Sequence, residues 1–419
     1  MYDLTLAVLA LALAFLTRWS TGRWSNPFQV FCLMWAVIAL LHALLPLGIV
    51  PTSAKAALVV GTGLFGMFLG FLAARGARFR QPTTTRLSRF RWIGAVAMMA
   101  VGVGVGLLAY RSDIVSLSGR SFDQLTRQQV LYYQQFGERP VGGKTLLLSL
   151  TVVLAALGVL GIERRWGGLL VLGAAAVAAT QSPSRTLPLT LVAASYVFWL
   201  YTRAPGSTPG AELVRRIRRH PKPALVLAVV AIAGMAYFNA EGRATKKDED
   251  SATRPLGSLT SPLTYATGSL SALSVAVAQD ASPTEGSHLR SVWLLPRCMA
   301  WLSPQVKVPE TVAGFVPIPQ PYNTYTMFGD VYFDFGLVGV FAMFLFFGFL
   351  VERMHRRAEV TRSLGASWIS AILVAIMFGG VVTFRLFWLE TAFWLVVGTL
   401  LLQRLEVRRG SRDHRRVPQ

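Results

Sequence analysis

Two aspartates, Asp330 and Asp334, stand four residues apart in Tyr322-Asn-Thr-Tyr-Thr-Met-Phe-Gly-Asp-Val-Tyr-Phe-Asp-Phe-Gly-Leu-Val-Gly339, which runs unbroken into an apolar segment ending at Val351. A charge at the mouth of a membrane span is costly and marks a functional place by default. Asp330 suits the role of a helix cap, and either carboxylate favours the positive end of a helix dipole. Asp334 lies between Phe333 and Phe335. Aromatic rather than aqueous surroundings are those in which a carboxylate serves as a general base or holds a substrate. Upstream, Glu285-Gly-Ser-His-Leu-Arg290 gathers an acid, a base and a cation within six residues. Glu285 and His288 are therefore further candidates for the base, the alternative being an ordinary polar turn.

Six arginines fall in connections between apolar segments: Arg120, Arg127, Arg185, Arg290, Arg297 and Arg385. Guanidinium groups hold phosphates bidentately and stay charged at a membrane surface, so several on one cavity would hold a pyrophosphate; the alternative is snorkelling to lipid headgroups. Arg185 occupies a short polar break, Gln181-Ser-Pro-Ser-Arg-Thr186, between two apolar runs. Arg290 and Arg297 are seven apart, a spacing that aligns them on one helical face, although Pro296 opposes a helix there. Asp248-Glu-Asp250 has the spelling of a metal-binding DxD, but Lys246, Lys247 and Ser251 make it read as a solvated charge run. Gly102, Gly104 and Gly106 lie inside an apolar run with no strand before them, which predicts a helix-packing surface rather than a phosphate loop.

The elements that must position these residues are membrane helices. The chain is 53% hydrophobic and 15% charged, which points to an all-α polytopic membrane protein. Eleven apolar segments can be marked, at 3–17, 27–49, 54–74, 92–110, 144–162, 167–181, 186–202, 223–239, 331–351, 366–384 and 387–403. The net charge of +21 is scattered in short runs between them, not gathered on one folded face as nucleic-acid binding requires. With the N-terminus outside and the C-terminus in the cytoplasm, 26 of 41 Lys and Arg and 6 of 20 Asp and Glu fall inside, a net +20 against +1 outside. The chain then divides into eight spans over 1–239 with an outer loop at 111–143, a large outer loop at 240–330, three spans over 331–403 and a basic tail at 404–419. Ser118 to Tyr133 is loosely amphipathic, as in a surface-lying helix. Ser291 to Leu302 is apolar and suggests a re-entrant or interfacial hairpin, and Pro304, Pro309, Pro317, Pro319 and Pro321 exclude a regular helix after it. Cys32 and Cys298 form no disulfide framework or metal spacing.

Asn323, Tyr325 and Thr326 spell Asn-x-Tyr-Thr, and Tyr332, Asp334, Phe335, Gly336 and Gly339 spell Tyr-x-Asp-Phe-Gly-x-x-Gly. In this lettering the chain resembles the oligosaccharide repeat-unit polymerases, the Wzy-type O-antigen and capsule polymerases. A weaker likeness covers Tyr265-Ala-Thr-Gly-Ser-Leu-Ser-Ala272 and Ser184-Arg185-Thr186. The resemblance implies a GT-C-like, metal-independent glycosyltransferase without a cofactor in the bacterial cytoplasmic membrane. It would move a growing glycan from undecaprenyl pyrophosphate onto an incoming lipid-linked repeat unit at the outer face, beside a chain-length regulator and a flippase of the same pathway. Arginines would then stabilise charge on the departing pyrophosphate, and Asp334, Glu285 or His288 would take the acceptor's proton. Asn323, Asp330 and Tyr332 would contact substrate, and Tyr322, Tyr325, Trp293 and Trp301 would offer faces to sugar rings. Two rivals share this outline: an O-antigen ligase, with a lipid A core as acceptor, and a lipid-linked oligosaccharide flippase, whose charges belong nearer the bilayer midplane.

Overall fold

The computed structural model describes residues 1–22, 26–44, 49–76, 79, 85–119, 143–163, 167–180, 186–202, 260–279, 289, 291–303, 305–306, 316–318, 321–322, 325–380 and 383–408. Helices make up nearly all of the regular structure. In chain order they are α1 (Tyr2–Thr21), α2 (Pro27–Leu44), α3 (Ala54–Ala74), α4 (Arg89–Ser118), α5 (Thr151–Glu163) after a 3-10 segment Gly143–Leu150, α6 (Gly168–Thr180) and α7 (Thr186–Thr202). They continue with α8 (Thr260–Ala278), α9 (Leu294–Leu302), α10 (Thr326–Thr361) and α11 (Leu364–Gly379). The last helix comes in pieces, α12 (Leu389–Phe393), a π-helical turn Trp394–Gly398 and α13 (Thr399–Leu405). Two small antiparallel ribbons complete it: β1 (Thr85–Leu87) with β4 (Glu406–Arg408), and β2 (Val316–Pro317) with β3 (Pro321–Tyr322).

Polar residues set where helices start. Ser53, Ser88 and Ser363 accept hydrogen bonds from the backbone N–H three residues on at α3, α4 and α11, and Asn26 Oδ1 accepts from Phe28 N before α2. Among the described residues five helices, α1, α2, α3, α4 and α10, are long and apolar enough to cross a membrane. Val8, Phe15, Val101, Leu108 and Val338 on these helices are each more than half exposed, an apolar surface that belongs against lipid. The chain is an all-α membrane protein.

The tightest seam joins α3 to α10. A Cβ added at Gly70 would stand 2.0 Å from Leu345 O, and one at Gly348 2.2 Å from Met67 O, so the two backbones touch where side chains would hold them apart. Gly102 and Gly106 likewise close on residues 147–150, as expected of a packing surface, whereas Gly104 faces open space. Trp35, Phe328, Phe344 and Phe384 fill the volume beside the seam.

One end of the bundle is basic. Arg75 donates to Ser20 O, Arg356 donates to Arg75 O, and Arg91 Nη1 donates to Arg404 O at 3.0 Å. Leu364 N donates to Glu406, and β1 pairs with β4 beside it. The end of α1, the α3–α4 and α10–α11 connections and the chain after α13 therefore share one side. Asp3, His42, Ser53 and the start of α10 lie at the other end.

Three features differ from the sequence reading. The apolar segment at 331–351 is the middle of a longer helix, 326–361, that carries a break at Gly336. The large loop at 240–330 contains α8, whose residues 267–277 pack against α2, α3, the first turns of α10 and β2. Regular hydroxyls, Thr267, Ser269, Ser271 and Ser274, lowered its apolar signal, yet all four are buried. Finally, Pro296 sits in the first turn of α9, where its missing N–H has no helical acceptor to lose. The segment 223–239 and most of the amphipathic stretch 118–133 lie outside the described residues.

Gly70→Ala is expected to cost about 1–3 kcal/mol, because the α3–α10 backbones must part. Gly94→Ala, where a Cβ meets nothing within 4 Å, should be neutral or stabilising by up to about 1 kcal/mol. Thermal unfolding of the purified protein in detergent compares them, and equal effects would contradict the close seam.

Candidate functional site

The motif residues build a broken helix. Gly336 has φ 64° and ψ −168°, a conformation that glycine alone adopts readily, so α10 divides into a short head, 326–335, and a long shaft, 337–361. A Cβ at Gly339 would stand 2.0 Å from Phe335 Cβ, so the second glycine lets the head lie close to the shaft. The head starts at Thr326, with φ 67°, whose Oγ1 accepts from Gly329 N at 3.2 Å. That hydroxyl does the capping expected of Asp330.

Asp330 instead faces inward. Buried at 5% exposure, its Oδ2 accepts from Thr383 Oγ1 at 2.7 Å and from Phe384 N at 2.9 Å. Met327 N donates to Gly380 O at 2.7 Å alongside. The head is thus stapled to the connection after α11, the one that carries Arg385.

Asp334, one turn on, grips a different segment. Its Oδ1 accepts from Leu289 N at 2.9 Å, and its Oδ2 accepts from both Ser291 N and Ser291 Oγ at 2.6 Å. Leu289 has φ 77°, a backbone that a branched side chain tolerates only when its surroundings hold it there. Three donors on two oxygens fix the chain just before α9. Leu294 N then donates to Phe387 O at 2.9 Å, which ties α9 to the Arg385 connection.

The two stapled segments meet in a ladder of arginine and tryptophan. The Arg297 guanidinium lies over the Trp293 ring at 5.7 Å, Trp293 is 6.3 Å from Trp388, and Arg385 lies over Trp388 at 4.4 Å. Stacking on an indole engages the face of a guanidinium and fixes where the cation lies. Arg297 is exposed and Arg385 half-buried. Asp334 therefore places one arginine and Asp330 the other.

Of the residues marked from sequence, Asp330, Asp334, Arg297 and Arg385 come together here. Tyr325 is fully buried, edge-on to Phe333 at 5.7 Å and packed with Ala272 and Ala276, so its ring is core and not a platform for sugar. Tyr332 is half-buried, also edge-on to Phe333. Tyr322 lies in β3 opposite Val316. Arg120, Arg127, Arg185, Glu285, His288, Arg290 and Asn323 lie outside the described residues, as does Asp248-Glu-Asp250. Helix α9 begins at Leu294 and carries Arg297. Ser291, Thr383 and Trp388 went unmarked: their partners are 43 or more residues away in three of the contacts above, a distance at which spacing carries no signal. Among the described residues no three His, Cys, Asp or Glu side chains group as a metal site would require. No protein-family model, curated protein or solved structure matches the chain.

Asp334→Asn turns an acceptor oxygen into an amide that faces N–H donors. It is expected to cost about 1–3 kcal/mol, felt locally. Hydrogen exchange at 289–303 should speed up while α3 stays protected, and Ser291→Ala should show a smaller effect in the same direction. Unchanged protection at 289–303 in Asp334→Asn would contradict the staple.

Proposed function

We propose that the chain is a membrane glycosyltransferase that joins lipid-pyrophosphate-linked oligosaccharide repeat units, with its site at the outer face of the cytoplasmic membrane. The observation that carries this reading is the placing of Arg297 and Arg385 on one tryptophan ladder by the two aspartates of a helix built from the Tyr-x-Asp-Phe-Gly-x-x-Gly lettering. In the transfer, the acceptor hydroxyl oxygen bonds to the donor sugar's C1 as the bond from C1 to the pyrophosphate oxygen breaks. The electron pair leaves with pyrophosphate, and the hydroxyl proton goes to a base. Preorganised guanidinium groups stabilise the charge on the leaving phosphate. Asp334 works as a positioning residue in this reading, since both of its oxygens already hold backbone or hydroxyl donors. The base then comes from Glu285 or His288, immediately before the gripped Leu289.

The outer-face assignment rests on charge. The clustered basic end faces the cytoplasm by the excess of Lys and Arg there, so the head of α10 faces out. Single cysteines at Ser118 and Ser282, in a background lacking Cys32 and Cys298, should react with an impermeant maleimide in intact spheroplasts. Cysteines at Ser207 and Ser363 should not, and labelling at Ser207 would invert the orientation.

A deletion strain should carry single repeat units at its surface, whereas complete loss of surface glycan would favour the ligase or flippase. Arg385→Ala should reduce polymer formation by about 10²- to 10³-fold at normal protein level, the cost of losing one preorganised donor group to a developing charge. Arg385→Lys should rescue poorly, because it keeps the charge and loses the fork. Wild-type chain length in Arg385→Ala would remove Arg385 from the site.

A further inference from the structure

Helix α9 turns two unlike sides outward. At about 100° per residue, Leu295, Met299 and Leu302 fall on one face, and Arg297 lies about 200° round from Leu295, on the other side of the helix. Leu295 is 53% exposed, Met299 44% and Leu302 89%, so the apolar stripe is largely bare. Pro296, between the two sides, is buried, and Arg297 is exposed and stacked on Trp293.

The stripe is held level with a surface already turned to lipid. Asp334 accepts from Ser291, three residues before the start of α9. On α10 the exposed apolar residues begin at Phe335 and Val338, one residue and one turn beyond Asp334. The contact that positions α9 therefore sets it within about a turn of the place where the lipid-facing side of α10 starts. Trp293 and Trp388 meet at the same place, and indole rings collect where a bilayer meets water. Three side chains, even wholly bare, fall short of the about 800 Å² per partner that a stable protein interface buries, so a second protein fits the stripe poorly.

We propose that α9 is a membrane-surface anchor: Leu295, Met299 and Leu302 enter the acyl region of the leaflet beside the head of α10, and Arg297 is held above them. The partner is the bilayer itself. A helix lying in a membrane surface sinks its apolar face about 5–10 Å into the boundary between headgroups and acyl chains. With its side chains a helix is about 10–12 Å across, so the opposite side, with Arg297, stands at the level of the lipid phosphates or higher. The course of residues 291–302 is then interfacial, because a re-entrant segment would place both sides in lipid. In the transfer proposed above, the phosphate of a lipid embedded in that leaflet would meet Arg297 without leaving the bilayer. The anchor itself does not rest on that reading.

Nitroxide labels on single cysteines test this in the full-length protein, in a background lacking Cys32 and Cys298, in phosphatidylcholine nanodiscs without substrate. Oxygen concentrates in the acyl region and a nickel chelate stays in water, so the ratio of their collision rates reports what surrounds each label. Leu295→Cys, Met299→Cys and Leu302→Cys should each match Val338→Cys, the lipid-facing reference on α10, with oxygen collisions dominant. Arg297→Cys should show the reverse. Chelate dominance at the stripe would overturn the anchor by leaving the stripe in water, and slow collision with both reagents would overturn it by placing protein there. Oxygen dominance at Arg297→Cys as well would overturn it in favour of a re-entrant segment. Met299→Asp gives a second measure: protection of 294–302 from hydrogen exchange should fall by about tenfold or more, the equivalent of withdrawing one such side chain from lipid, and unchanged protection would contradict the anchor. Neither measurement involves substrate, so a failed anchor and a failed transferase are told apart.

Discussion

A carboxylate removed from water must have its oxygens filled by donors or a countercharge, and this constraint organises the head of α10. Asp330 and Asp334 meet it with segments far away in the chain. Asp330 takes donors from Thr383 and Phe384, and Asp334 from Leu289 and Ser291. Each bond pattern satisfies a costly group and also settles where an otherwise irregular segment must lie. Arg385 and Arg297 are carried on those segments, so the positions of two cations are consequences of the needs of two anions.

The carboxylates and the arginines thereby divide the work. Asp334, with both oxygens engaged, makes a firm anchor, and stacking on tryptophan fixes each guanidinium. The rigid part beneath is the α3–α10 seam, where glycine backbones touch and leave little room for the shaft to slide. Gly336 separates that shaft from the head, so the helix fixed in the seam and the helix that displays the site differ in direction.

Much of this was legible in the sequence because membrane helices write themselves as long apolar runs. The bounds of α3 at 54–74 and of α7 at 186–202 came directly from hydropathy. The motif letters mark the broken helix α10. What they could not tell was the role of each letter, since the function of Asp334 depends on Ser291, which reaches it only through folding. Helix α8 was hidden by its hydroxyls, which hydropathy counts as polar although Ser274 Oγ donates to the carbonyl of Leu270 within the helix.

In the proposed transfer Asp334 positions Arg297 rather than taking a proton. Substrate binding and single-turnover chain growth, measured together on lipid-linked repeats in nanodiscs, separate the two roles. If Asp334 is an anchor, Asp334→Asn should bind the lipid-linked donor more weakly and lose turnover with it, because Arg297 is no longer held in place. Wild-type donor binding by Asp334→Asn with turnover reduced by about 10²- to 10⁴-fold would contradict that account and make Asp334 the base.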